Sequence, residues 1–125
     1  MRLLLDSNAL IFAVAQPTGL SAAARQALQD PDNDRFVSIA AMWEIAIKLS
    51  LGKLSLPGSI PAALDIVGAS PLEITPAHIV RVQGLPLHHR DPFDRMIVAQ
   101  ALEENLTIVT HDRAFRAYGV PLLAA

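Results

Sequence analysis

The sequence contains no cysteine, and this absence limits the chemistry that the protein can perform. Disulfide bonds, thiolate metal sites and cysteine nucleophiles are all excluded, which suits the cytoplasm, and we expect that location. Long apolar runs are also missing. Asp6, Glu44 and the prolines interrupt every stretch that approaches the roughly 18 to 20 apolar residues of a membrane span. We therefore expect a soluble protein with no membrane segment.

An excess of positive charge, which usually marks nucleic-acid-binding proteins, is absent as well. Ten Lys and Arg residues against twelve Asp and Glu residues give a net charge of −2. The basic residues could still line one rim of a site, and divalent ions held by acidic residues would reverse the local charge. The charge balance alone therefore decides nothing about function.

Apolar residues are abundant, and they make up 52% of the 125 residues. This length suffices for one domain, which we expect to span residues 1–125. The apolar fraction exceeds what a small soluble monomer readily buries. We expect part of the apolar surface to lie in an interface with another protein.

Predicted strands and helices alternate along the chain. Short apolar or β-branched runs predict strands at residues 3–5, 36–37, 72–74, 106–110 and 120–123, with the last at a sheet edge because it contains Pro121. Apolar periodicity and capping residues predict helices at residues 9–15, 22–29, 39–51, 77–83 and 92–105, and short helical turns after Ser59 and near residues 113–118. This order predicts an α/β fold in which a mostly parallel sheet of four or five strands has helices on both faces.

Acidic residues follow the predicted strands at the places where open α/β sheets bind ligands. Asp6 closes the first strand, and Asp112 lies two residues after the fourth. Asp94 lies in the first turn of a helix, where an anion is favoured. Glu44 lies among apolar helical neighbours, where an unpartnered carboxylate is unfavourable. We expect these four carboxylates to converge on one site.

Converging carboxylates repel each other, and proteins relieve this by protonation or by binding cations. Oxygen ligands favour hard ions, so Mg²⁺ or Mn²⁺ is expected. Such an ion can activate water and stabilise charge that develops on a phosphate. The pattern therefore indicates phosphodiester hydrolysis without a side-chain nucleophile.

Each acid also has a purely structural interpretation. Asp6 and Asp91 could be helix N-caps, and Asp94 would then occupy a capping-box position. Glu44 could pair with Lys48 one helical turn away. Asp112 could be an ordinary loop residue.

Three segments carry a resemblance that spans nearly the whole chain: LLLDSNALIFA, SIAAMWEIAIKLSLGKLSL and HHRDPFDRMIVAQALEENLTIVTHDRAFRAYGV. They resemble the PIN-domain family, and specifically the VapC-type toxins of bacterial toxin-antitoxin pairs. The resemblance assigns catalysis and metal binding to four residues: Asp6, Glu44, Asp94 and Asp112. It places Asp91 near the ions, gives Asn8 and Thr110 supporting roles, and leaves Arg95 as a potential contact to RNA phosphate or a solvated residue.

The resemblance implies a cytoplasmic endoribonuclease that a cognate VapB-type antitoxin holds inactive. It also implies a homodimer, which agrees with the apolar excess. RNA is the implied substrate.

Two other functions remain open at this point. A haloacid-dehalogenase-like phosphohydrolase also places an aspartate after its first strand. That family, however, requires a second aspartate at the position of Asn8, and it requires a lysine late in the chain, where this sequence has none. A catalytically inactive PIN module that binds RNA or protein is the second, and the four retained acids disfavour it. His88, His89 and His111 are expected in loops and His78 on a helix surface, so neither zinc binding nor general-base chemistry is predicted for them.

Overall fold

The computed structural model describes residues 1–125 and contains one sheet of five strands, all of them parallel. The strands are β1 (Arg2–Leu5), β2 (Asp34–Ser38), β3 (Ser70–Leu72), β4 (Thr107–Thr110) and β5 (Leu122–Ala124). Their order in space is β3-β2-β1-β4-β5, with Leu4 of β1 opposite both Phe36 and Ile108. The predicted parallel α/β fold is therefore confirmed.

The strand order contains a reversal of direction beside β1. The chain builds outward from β1 through β2 to β3, and then returns to place β4 on the other side of β1. In open parallel sheets, such a reversal leaves a crevice at the carboxyl ends of the two strands, where ligands bind. The crevice here lies beyond Leu5 and Thr110, the last residues of β1 and β4.

Six α-helices cover the sheet. They are α1 (Ser7–Ala15), α2 (Ala22–Gln29), α3 (Ile39–Ser50), α4 (Ile60–Val67), α5 (Pro76–Gly84) and α6 (Pro92–Glu104), with short 3₁₀ helices at Pro17–Gly19 and Arg113–Tyr118. Hydroxyl side chains cap four of the α-helices by accepting backbone N–H groups, and they belong to Ser21, Ser38, Ser59 and Thr75. None of these helices combines the length and apolarity that crossing a membrane requires.

The core lies on both faces of β1. Leu3, Leu4 and Leu5 are completely buried, although successive side chains of a strand point to opposite faces. Both faces must therefore be covered, which agrees with α1 and α6 each packing against β4. The predicted placement of helices on both faces of the sheet is confirmed, and the tight packing fixes β1 and β4 as a rigid base for the residues that follow them.

Most predicted boundaries agree with the structure to within two residues. The largest difference is β3, which begins at Ser70 because β2 sets its register by pairing Phe36 with Ser70 and Ser38 with Leu72. The pattern of β-branched residues alone cannot report that register. The last strand does lie at an edge, as Pro121 predicted. Gly52, two residues after α3, has the positive φ of +69° expected of a residue that ends a helix.

The expectation that His78 lies on a helix surface is wrong. Its side chain is completely buried between α5 and α6. Its Nδ1 accepts the backbone N–H of Thr75 at 3.0 Å, and its Nε2 lies 2.8 Å from Glu104 Oε1. His78 thus completes the cap of α5 and joins that helix to the end of α6.

We expect His78→Ala to destabilise the fold. It removes two hydrogen bonds from a buried position and leaves a cavity, so the free energy of unfolding should fall by about 2 to 4 kcal/mol. Urea unfolding followed by circular dichroism measures this loss. His88→Ala, at an exposed position, is the control and should change stability by less than about 0.5 kcal/mol. Equal effects from the two substitutions would contradict the structural role of His78.

Candidate active site

Asp6 and Thr110 meet at the crevice between β1 and β4. Asp6 directly follows β1 and is 5% exposed. Its Oδ1 accepts the Ala9 backbone N–H at 2.8 Å, and its Oδ2 accepts the hydroxyl of Thr110, the last residue of β4. Burial raises the pKa of the Asp6 carboxyl, and these two hydrogen bonds oppose the rise. A carboxylate is thus fixed at the point where the topology predicts a ligand.

Glu44 approaches the same crevice from α3. Its Oε1 accepts the hydroxyl of Ser7, which is the residue after Asp6 and is itself buried. Its Oε2 lies 3.4 Å from the ammonium group of Lys48, so the predicted pair one turn away is present. The Ser7 contact holds Oε1 at the start of α1. Pairing with Lys48 and membership of the acidic cluster therefore coexist.

Asp94 is the carboxylate with the most strongly perturbed charge. Burial raises its pKa to about 7, and the negative charges of Asp91, Glu44 and Asp6 add to the rise, while His89 opposes it. Asp91 caps α6 by accepting the backbone N–H groups of Phe93 and Asp94, at 2.8 and 3.2 Å. Asp94 thus lies in the electrostatic field of three other acids, as expected for converging carboxylates.

Asp112 joins the cluster from the segment after β4. Its Oδ1 caps the 3₁₀ helix by accepting the Ala114 N–H at 2.9 Å, and its own N–H donates to the Thr110 hydroxyl. The Ala114 hydrogen bond lowers the pKa of Asp112, with a further contribution from His89. The pKa of Asp112 is thus lowered and that of Asp94 is raised, so Asp112 ionises more readily than Asp94.

His89 links Asp94 to Asp112, and sequence reasoning missed this contact. Its Nδ1 accepts the backbone N–H of Asp91 at 3.1 Å, so the ring proton of the neutral form must lie on Nε2. Nε2 lies 3.2 Å from Asp94 Oδ2 and 3.0 Å from Asp112 Oδ2. The ring also stacks on Phe115. His89 thus donates between two carboxylates that would otherwise repel each other.

Other predicted residues lie outside the cluster. Asn8 is exposed and makes no side-chain contact to an acid, so a direct supporting role for it is not evident in the geometry. Arg95 donates to the backbone carbonyls of Val82, Leu85 and Pro86, and it therefore holds the loop after α5 instead of facing solvent or a ligand. His111 lies in a loop, with Nε2 3.1 Å from the Gly19 carbonyl.

The arrangement fits a divalent cation. The four acids offer carboxylate oxygens, which hard ions prefer, and His89, Asp94 and Asp112 each present one possible ligand atom within 4.8 Å of the others. Each acid except Asp94 has a second partner that orients it, whereas Asp94 has one oxygen without a partner and a pKa raised to about 7. A positive charge among Asp6, Glu44, Asp94 and Asp112 would relieve this repulsion.

The model of the PIN domain family matches residues 3–121, which include all four acids. The chain belongs to the PIN domain family. This PIN domain is also 32% identical to Ribonuclease VapC22 of Mycobacterium tuberculosis, over 94% of this chain and 92% of that protein. The resemblance drawn from the three sequence segments is therefore confirmed, and the haloacid-dehalogenase alternative falls away.

Solved structures share the fold of this PIN domain at lower sequence identity. VapBC2 from Rickettsia felis, bound to a DNA fragment from its promoter, superposes with a TM-score of 0.75 at 17% identity and covers 98% of both chains. VapBC-1 from nontypeable Haemophilus influenzae gives a TM-score of 0.65 at 18% identity, covering 98% of this chain and 97% of that one. These likenesses agree on the whole fold.

The raised pKa of Asp94 predicts how stability depends on pH in metal-free protein. The folded state holds a proton on Asp94 that the unfolded state, with an ordinary pKa of 3.8, has already released. Stability should therefore fall as pH rises from about 4 to about 7. Asp94→Asn mimics the protonated acid, so in EDTA at pH 8 it should raise Tm by about 5 °C, with the difference vanishing near pH 4.

Differential scanning calorimetry across this pH range measures the effect, and Asp65→Asn is the matched control. Asp65 lies on α4, exposed, so its loss should leave the pH dependence unchanged. A lower Tm for Asp94→Asn at pH 8 would contradict the electrostatic interpretation.

Proposed function

We propose that this chain is a Mg²⁺- or Mn²⁺-dependent endoribonuclease that hydrolyses RNA phosphodiester bonds. The observation that carries the proposal is the gathering of acids at the β1–β4 crevice, where Asp6 is fixed by Thr110 and Asp94 has a pKa near 7. The relative named Ribonuclease VapC22 supports RNA as the substrate. The four acids are proposed as both the catalytic and the metal-binding residues: Asp6, Glu44, Asp94 and Asp112.

A divalent ion held by these acids would supply activated water and stabilise negative charge on the phosphate. The chain's own residues prepare the site for it. Thr110 and Ser7 donate their hydroxyls to Asp6 and Glu44, which fixes the orientation of both carboxylates. His89 holds Asp94 and Asp112 together. Asp91 is proposed to orient His89 and Asp94 through its backbone N–H and its capping carboxylate, without binding the ion.

We also propose a cognate VapB-type antitoxin as the partner that inhibits this site. The support is the set of structural relatives, since VapBC-1 and VapBC2 carry both components in their names. The acidic crevice would attract a basic segment of such a partner because its charge is uncompensated when no cation is bound. In this scheme the protein acts in the cytoplasm, where its RNA substrate is made.

A homodimer is proposed from one apolar stripe on α3. Four side chains at intervals of four residues are exposed along one side of α3, the last of them at its C-cap: Ile39, Trp43, Ile47 and Leu51. The stripe carries no charge of its own. Two apolar stripes of this kind can pack against each other. A twofold axis would therefore bring the stripe of one copy into contact with that of a second copy.

Cleavage assays test the catalytic proposal. Purified protein should cleave single-stranded RNA with Mg²⁺ or Mn²⁺, stop when EDTA is added, and recover when the ion is restored. Asp6→Asn should lower the rate by about 100-fold or more, because the carboxylate charge is lost from the metal shell. Asparagine still caps α1 through Oδ1, and removal of the buried charge offsets the lost Thr110 hydrogen bond, so the protein should remain folded.

Asp65→Asn is the control with the same chemical change outside the crevice, and its activity should equal that of the unsubstituted protein. Cleavage that persists in EDTA, or that survives Asp6→Asn, would remove the metal-dependent mechanism.

Light scattering after size exclusion tests the dimer. The unsubstituted protein should have about twice the chain mass of 13.4 kDa, and Leu51→Glu should shift it toward 13.4 kDa because a charge would be buried in the interface. Ile66→Glu, on α4 and equally exposed at 65% against 62%, should leave the mass unchanged. A mass of 13.4 kDa for the unsubstituted protein at micromolar concentration would refute the dimer.

A further inference from the structure

Half of the ten basic side chains of the protein are already engaged, and the free ones are unevenly placed. Arg2, Arg35 and Arg95 donate to carbonyls, while Lys48 and Arg81 pair with acids. Five cations make no hydrogen bond or ion pair: Arg25, Lys53, Arg90, Arg113 and Arg116. Three of these five flank the acidic crevice. Arg90 follows His89, and the other two lie on the 3₁₀ helix that begins after Asp112.

Arg113 and Arg116 line a cavity of about 590 Å³ beside the crevice. Its wall also contains His111, Asp112 and Thr110. Because Thr110 donates to Asp6 and Asp112 contacts His89, the cavity adjoins the acidic cluster. Its volume lies within the range of ligand-binding pockets in proteins. Free positive charge and open space therefore adjoin the proposed site of cleavage.

The local geometry lets the two arginines contact the same RNA strand. Residues three apart on a 3₁₀ helix lie on the same side, separated along the axis by about 6 Å. Arg113 and Arg116 are both exposed and are spaced in this way. Two guanidinium groups so arranged can each contact a phosphate of the same backbone.

We propose that this cavity is a subsite for backbone phosphates of the RNA strand, on the β5 side of the bond that is cut. The inference rests on the proposed ribonuclease function. A strand that reaches the carboxylates of a protein with net charge −2 meets repulsion. Arg113 and Arg116, beside the acids at the same sheet edge, offset that repulsion and hold the RNA strand. They take no part in the chemistry.

The salt dependence of RNA binding tests the subsite. In an Asp6→Asn background, which removes cleavage, fluorescence anisotropy of a short labelled single-stranded RNA of mixed sequence is measured between about 50 and 200 mM KCl. The variant Arg113→Ala/Arg116→Ala should make the slope of log K against log[KCl] shallower by about 1.4, since each phosphate contact on a single strand contributes about 0.7. Affinity near 100 mM KCl should fall on the order of ten-fold.

Two variants control for net charge and for structure. Arg25→Ala/Lys53→Ala removes the same charge elsewhere, because Arg25 lines a different cavity and Lys53 follows α3, and its slope should match the parent. Arg113→Lys/Arg116→Lys keeps the charge and should restore the slope. With Asp6 intact, Arg113→Ala/Arg116→Ala should raise KM and leave kcat within about two-fold, as expected for contacts made equally in ground and transition states.

An unchanged slope, or an equal change in the Arg25/Lys53 control, overturns the subsite. If Arg113→Ala/Arg116→Ala weakens binding of an acidic protein partner and leaves RNA binding intact, the subsite is overturned as well. The arginines are then assigned to that partner. If the Asp6→Asn protein fails to bind RNA, the subsite is refuted. Metal-dependent cleavage by the unsubstituted protein then decides separately whether the proposed function stands.

Discussion

Repulsion among carboxylates is the constraint on which the rest of this structure depends. Burial, with added repulsion from Asp91, Glu44 and Asp6, raises the pKa of Asp94 to about 7. A fold tolerates such crowding only where rigid elements hold the acids and other groups offset their charge. The buried β1–β4 pair supplies the rigidity, and His89, Thr110 and Ser7 supply the compensating hydrogen bonds. A cation that binds among these acids would relieve the remaining repulsion.

His89 orders two of the acids through direct contacts. It is anchored from behind by the Asp91 N–H and packed on Phe115, so its Nε2 can point only toward Asp94 and Asp112. One ring proton thereby satisfies two carboxylates from two different elements. A hydrogen bond from the His89 ring offsets less negative charge than a divalent ion would, so the arrangement leaves the acids able to bind a cation.

Much of the fold and of the acidic set was accessible from the sequence. The α2 boundaries at Ala22 and Gln29 follow from the Ser21 cap and the Asp30-Pro31 stop, both of which are local signals. The strand order placed Asp6 near Asp112, because residues that follow parallel strands share one sheet edge. His78 and Arg95 were misplaced for the opposite reason. Their partners, Glu104 and the carbonyls of the loop after α5, are brought near by packing between helices, which periodicity does not encode. His89 was missed because it lies in a loop, and its contacts join the first turn of α6, at Asp94, to the segment after β4, at Asp112.

The structural and the chemical interpretations of the acids are not alternatives, because a carboxylate has two oxygens. Asp6 and Asp112 each use Oδ1 to cap a helix, and each directs Oδ2 toward the crevice, to Thr110 and to His89. The cap restricts the side chain to one orientation before any ion or substrate arrives. Asparagine would keep the capping oxygen but place an amide NH2 at Oδ2, which cannot accept the Thr110 hydroxyl or the His89 N–H, so it removes the charge and one hydrogen bond while preserving the cap. An N-cap aspartate after a parallel strand is thus a preorganised ligand. In a sequence, its capping position suggests a purely structural role, but the cap is also what orients the carboxylate for a functional site.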